Sequence, residues 1–293
     1  MDRLSNINPF AKRDQHSRGS VITYKVLTIV TWLLSVIVSV YYTFDYPDHG
    51  RYAHGHARRI WDVNYLYYTG FTLNYMIVSL YWLAIFILQA GYIGHLFSSN
   101  VDTVNAACAV GSHFIVNNLL HFGFVWLFVY QHFVWAEIFL ILNFINLSSL
   151  YFRHNAYPRF IHTPAVSGPL AWTFVAIYWN GAIMVHHPDS LVARIFANIF
   201  VWSFLAYGAF FIVVYKDYTM GFNLSVLSAA LGVTQFRHQV VAFQWIFAFT
   251  IMAVLFVLTV LIAVPAMMGR DLPFGRRAQT TSDQERAPLL ADN

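Results

Sequence analysis

Apolar residues in this chain come in long runs separated by short polar breaks. A helix needs about 20 predominantly apolar residues to cross the roughly 30 Å hydrocarbon core of a bilayer. Runs of that kind lie at 21–44, 68–97, 104–130, 133–152, 164–186, 190–215, 219–235 and 241–268. They predict an all-α, polytopic transmembrane helical bundle of about eight spans, with seven as the alternative. The uncertain run is 219–235, which is short and contains Asn223, Ser225, Ser228 and Thr234. It reads either as a helix lying at the interface or as a buried span. The buried span is favoured because Ser225 with Ala229, and Ser228 with Gly232, give the small-xxx-small spacing that lets helix backbones approach closely.

Composition agrees with the pattern. Of 293 residues, 58% are hydrophobic and only 10% charged, against about 25% charged in soluble domains. The basic residues orient the bundle, because cytoplasmic flanks carry the excess of Lys and Arg. Arg3, Lys12, Arg13, Arg18 and Lys25 precede or open the first run, and Arg270, Arg276, Arg277 and Arg286 follow the last. Both termini are therefore expected in the cytosol, which an even number of spans satisfies. Arg153, Arg159 and Lys216 fall on the same side, while Arg51, Arg58, Arg59 and Arg237 fall opposite. The expected organisation is an N-terminal cytosolic arm (1–20), a transmembrane helical domain (21–268) and a disordered cytosolic tail (269–293). No cleavable signal peptide is expected, since the first run follows a charged arm and exceeds a signal core in length. Aromatic residues make up 18% of the chain, and Tyr41-Tyr42 and Tyr65-Leu-Tyr67-Tyr68 frame the first loop as an interfacial belt would.

Cys108 is the single cysteine, so disulfides within the chain and a multi-thiol metal site are excluded. The sequons at Asn146 and Asn223 lie inside apolar runs, and no N-glycan is expected there. In the tail, Glu285 precedes Leu289 and Leu290 at the spacing of an acidic dileucine sorting signal. Such signals present two leucines to an apolar pocket and the acid to a basic patch of a clathrin adaptor. Asn8-Pro9-Phe10 resembles the tripeptide bound by endocytic EH domains, although a simple turn at Pro9 is the favoured reading. Together these favour the vacuolar or endosomal membrane over the endoplasmic reticulum. The expected partners are the lipid bilayer and clathrin adaptors, with no nucleic acid.

Polar residues inside spans are costly and face partners or water. His113, Asn117 and His121 recur every four residues, and His132, eleven residues past His121, returns to nearly the same direction if the helix continues. Such a stripe suits a proton or cation path, because imidazole exchanges protons near neutrality. It also suits interhelical hydrogen bonding, and that reading carries more weight. Glu137 stands one turn into the fourth run; a shallow carboxylate reaching headgroup water is the favoured reading, and a proton-linked pairing with His132, the nearest histidine in sequence, is the other. Asn143 and Asn146, deeper on that run, are expected to bond neighbouring helices. In the first loop, His49, His54 and His56 with Asp45 and Asp48 form at most a weak metal pattern beside Arg51, Arg58 and Arg59. A metal site is therefore left open, and no cofactor is expected.

No Gly-x-Ser-x-Gly, P-loop or Rossmann fingerprint occurs, and His186-His187 stands apart from the histidine clusters of membrane di-iron oxidases. Val166-Ser-Gly-Pro-Leu-Ala-Trp-Thr-Phe, Trp179-Asn-Gly-Ala, Tyr215-Lys-Asp-Tyr-Thr-Met-Gly-Phe and Gln244-Trp-Ile-Phe-Ala-Phe resemble a family of uncharacterised fungal multi-pass membrane proteins. The resemblance covers roughly the C-terminal half and implies a fungal polytopic protein without specifying a reaction. A transporter- or channel-like role is the leading expectation. A non-catalytic scaffold or trafficking partner comes second and a lipid-modifying enzyme third.

Overall fold

A computed structural model describes residues 16–44, 59–153, 159–185 and 190–268. Every apolar run contains helix. In chain order the elements are α1 (Arg18–Phe44), α2 (Ile60–Leu66), α3 (Tyr75–His95), α4 (Val101–Val129) and α5 (Phe133–Arg153). There follow α6 (Arg159–His162), a π-helical turn (Thr163–Ser167), α7 (Gly168–Ile183), α8 (Leu191–Phe200), α9 (Trp202–Tyr215), α10 (Tyr218–His238) and α11 (Gln244–Met267). Among the described residues no strand occurs. Six helical stretches are long and apolar enough to cross a membrane: α1, α3, α4, α5, α8 with α9, and α11.

Residues 159–183 and α10 are the interior of the bundle. α10 packs against α11, α9, α7 and α3 and buries Asn223, Ser225, Ser228, Thr234 and Gln235. The small residues allow this. A Cβ at Gly232 would lie 2.8 Å from the Phe249 ring of α11, and Ser225 Oγ donates to the Met252 carbonyl at 2.9 Å. The weakest apolar run is thus one of the most enclosed helices, and its polar residues face protein.

The stretch through Pro164 and Pro169 stays helical, and side chains of α3 and of its own following turn bond three of its carbonyls. Proline lacks the backbone N–H and leaves helical acceptors open. Gln89 Nε2 donates to Pro164 O at 3.3 Å, Tyr81 OH to Gly168 O at 2.7 Å and Thr173 Oγ1 to Pro169 O at 2.7 Å. Helix α3 therefore supplies two of the three donors.

Between α2 and α3 the second apolar run departs from expectation. Residues 67–74 are not helical, and Thr69 to Asn74 are buried. Their backbone is satisfied from several sides. Asn64 Nδ2 donates to Leu73 O at 2.9 Å and Asn64 Oδ1 accepts from Leu73 N at 3.3 Å. Gln235 Nε2 donates to Thr69 O at 2.9 Å, and Asn74 N to Ala230 O at 3.1 Å. Helix α3 starts at Tyr75, with Asn74 Oδ1 accepting from Ile77 N at its N-terminus. The first loop, expected to be extramembrane up to residue 67, thus contributes α2 and the buried Asn64 to the bundle.

Candidate functional site

A cavity of about 600 Å³ lies between α1, α2, α3, α4 and α7. Rings make up 11 of its 23 lining residues. Trp61 of α2 stacks on Trp179 of α7, with centroids 6.4 Å apart and planes 25° apart. Trp179 Nε1 donates to Asn64 Oδ1 at 2.8 Å, which fixes α2 against α7. Trp82 of α3 covers the His121 imidazole at 4.2 Å, and Trp172 stands edge-on to Trp82 at 5.6 Å. The polar wall consists of His121 Nε2 sharing a hydrogen bond with Ser39 Oγ at 3.1 Å, together with the Thr43 and Ser79 side chains. At one end Arg59 Nε meets Asp62 Oδ2 at 3.0 Å. Val40 and Phe44 of α1 and Leu80 and Leu83 of α3 belong to the lining and are also exposed on the outer surface. Among the described residues the cavity therefore opens sideways between α1 and α3.

The histidine stripe divides between two faces. Four residues advance a helix by one turn plus about 40°, so His121 points about 80° away from His113. His113 Nδ1 bonds Asn146 Oδ1 at 2.8 Å, and Asn146 Nδ2 returns a bond to His113 O at 3.0 Å. Asn143 Nδ2 reaches Asn117 Oδ1 at 2.9 Å and Thr173 Oγ1 at 3.4 Å. Thus His113 and Asn117 join α4 to α5, with a branch to α7, whereas His121 faces α1, α3 and the cavity. The sequons' Asn146 and Asn223 are both inside the bundle.

His132 does not continue this face. Helix α4 ends at Val129, and Gln131 takes a left-handed conformation (φ 61°) that turns the chain before His132. His132 is exposed. Nor is it the partner of Glu137, whose Oε2 instead accepts from Asn180 Nδ2 at 2.8 Å. Asn180 Nδ2 also donates to Phe133 O at 2.8 Å, so the carboxylate joins α5 to α7.

A second polar cluster was not foreseen from spacing. Asp217, between α9 and α10, has a side chain only 9% exposed, with its carboxylate at the N-terminus of α10. It accepts from Ser167 Oγ at 2.7 Å, Tyr151 OH at 3.1 Å, Thr219 Oγ1 at 2.6 Å and Met220 N at 2.9 Å. His162 Nε2 lies 3.5 Å away. Burial pushes this carboxyl up, but the hydrogen bond and charge of His162, the Thr219 hydroxyl and the Met220 N–H outweigh burial and hold it well below the usual carboxylate range. Ser167 bonds the carboxylate and not the imidazole, so the three do not form a Ser–His–Asp relay. The cluster ties α5, the π-turn and α10 together.

Glu285, Leu289 and Leu290, Asn8-Pro9-Phe10, His49, His54, His56 and the His186-His187 pair lie outside the described residues. Among the described residues no group of three or more His, Cys, Asp or Glu side chains is placed to hold a metal ion.

Long apolar helices around a buried polar interior are the make-up of a helical integral membrane protein. Residues 194–290 match the family described as a fungal protein of unknown function (DUF1774), in the half of the chain where the resemblance was expected. The chain is also 28% identical over 178 residues to an uncharacterised protein of Schizosaccharomyces pombe, a match covering 58% of the chain and 61% of that relative's length. No solved structure matches the chain.

Proposed function

We propose that this is a transporter-like protein of the fungal endomembrane system whose cargo is a hydrophobic or amphipathic small molecule, held in the cavity around His121. The observation that carries this reading is the cavity: ring-lined, with a hydrogen-bonded Ser39–His121 pair in its wall and exposed apolar residues at its side opening. Ligand sites are mostly apolar concavities of about 300–1,000 Å³ with a few placed polar groups. An ion route is less well supported. His113, Asn117, Asn143 and Asn146 bond one another across α4 and α5, as residues that hold a bundle do. His121 is the member of the stripe that meets the cavity, and Glu137 and His132 are not linked to it.

The proposal includes eight spans with cytosolic termini. Residues 159–183 form one unbroken helical stretch, and α10 has 21 residues, about 31 Å at 1.5 Å per residue. Both lengths suit a bilayer, and burial within the bundle explains their lower apolarity. Routing to the vacuolar or endosomal membrane through Glu285, Leu289 and Leu290, with clathrin adaptors as partners, is part of the same proposal. Imaging the full-length protein beside its Leu289→Ala, Leu290→Ala variant tests it; unchanged location would remove the sorting signal.

Cargo is tested by native mass spectrometry of the full-length protein released from its own membranes. The wild type is expected to retain a small hydrophobic molecule that a cavity-filling Leu83→Trp variant loses. Absence of bound molecule in both would favour the scaffold role, in which the polar ladder serves packing alone.

A further inference from the structure

The cargo reading leaves the chemical class open, and the cavity narrows it. Resting on that reading, we propose that the occupant is a flat, neutral lipid with a single hydroxyl or keto group, sterol-like in class, which enters sideways from the bilayer between α1 and α3.

Charge comes first. Among the described residues, the charged ones at the cavity are Arg59 and Asp62, and they are bonded to each other at 3.0 Å and 3.3 Å. A phosphate or ammonium headgroup in the cavity would have to displace that pair or lose hydration uncompensated, and burying an unmatched charge is strongly unfavourable. A neutral molecule avoids both costs.

Shape comes second. Trp61 with Trp179, Trp82 with His121 and the edge-on Trp172 make firm walls from rings held by one another and by the Asn64–Trp179 hydrogen bond. Ring faces gain dispersion contact with a flat, rigid molecule. A flexible acyl chain would make similar contacts but give up rotational freedom on binding, which weakens it relative to a rigid ligand.

Polarity comes third. The Ser39 hydroxyl and the His121 imidazole, hydrogen-bonded to each other, offer donor and acceptor positions to a ligand oxygen, as do the Thr43 and Ser79 hydroxyls. One oxygen function on an otherwise apolar molecule fits this supply. The side opening supplies the route, because Val40, Phe44, Leu80 and Leu83 are exposed where the lining meets the outer face of two apolar helices.

The test is energy transfer from tryptophan to a polyene lipid, since four of the nine tryptophans line the cavity. Full-length protein in phosphatidylcholine nanodiscs is titrated with dehydroergosterol and, separately, with phosphatidylcholine carrying a parinaroyl chain. Saturable transfer to dehydroergosterol, competed by unlabelled ergosterol and about three- to ten-fold weaker in Ser39→Ala, is the expected result. Should Ser39→Ala lower the melting temperature, the isosteric Thr43→Val variant takes its place with the same expected direction. Saturable transfer to the parinaroyl chain that ergosterol does not compete overturns the sterol-like class while leaving a hydrophobic cargo intact. Transfer to both probes that only rises linearly with concentration, as bilayer partitioning gives, overturns the class and the cargo reading together.

Discussion

Asn64 shows how much one buried polar side chain holds in this protein. Fully buried, it bonds both backbone groups of Leu73 and the Trp179 indole, and so joins α2, the buried 67–74 segment and α7. Removing it leaves buried donors and acceptors unpaired, each costing about 1–3 kcal/mol. Asn64→Leu is therefore expected to lower stability by about 2–4 kcal/mol, seen as a fall in melting temperature in detergent; an unchanged melting temperature would contradict the role. Asp217 makes a pH prediction. Its folded carboxyl lies below the unfolded value of about 3.9, so its contribution is complete above about pH 4 and is lost as pH falls towards the folded value. Thermal stability should drop on acidification below about pH 4, and Asp217→Asn should be less stable at neutral pH with a flatter acid profile. Spacing made His113, Asn117 and His121 legible in the sequence. It could not reveal Asp217, which lies outside the apolar runs; its five partners come from three separate parts of the chain.

At the scale of elements, apolar run length located the helices well and their ends less well. The run at 68–97 begins with a buried non-helical segment because Asn64, shortly before it, and Ala230 and Gln235, distant in sequence, satisfy its backbone. The turn at Gln131 removed His132 from its expected face for a local reason that periodicity does not carry. The small residues of α10 were the signal that did carry through, since they mark close helix packing whether or not hydropathy is high. Gly232→Leu should push α10 from Phe249 and cost about 1–3 kcal/mol, the usual effect of overpacking. Leu261→Ala, on the exposed face of α11, should leave the melting temperature nearly unchanged. Equal effects from the two would mean that α10 and α11 are not packed in this way.

For the whole molecule, long apolar helices pack around the buried 161–183 stretch and α10, and a ring-lined cavity opens to the side between α1 and α3. The membrane class was legible from run length because a bilayer imposes that length. The cavity was not, since its walls come from five helices and converge only in the fold. The central claim is that this cavity communicates with the bilayer and not with water. The direct measurement places a nitroxide at Ser79→Cys in a Cys108→Ala background, with the full-length protein in nanodiscs, and compares collisions with oxygen and with a neutral nickel chelate. Oxygen dissolves in the hydrocarbon core and the chelate in water, so a cavity open to lipid gives high oxygen and low nickel accessibility. High nickel accessibility would make it an aqueous vestibule and contradict the proposed hydrophobic cargo.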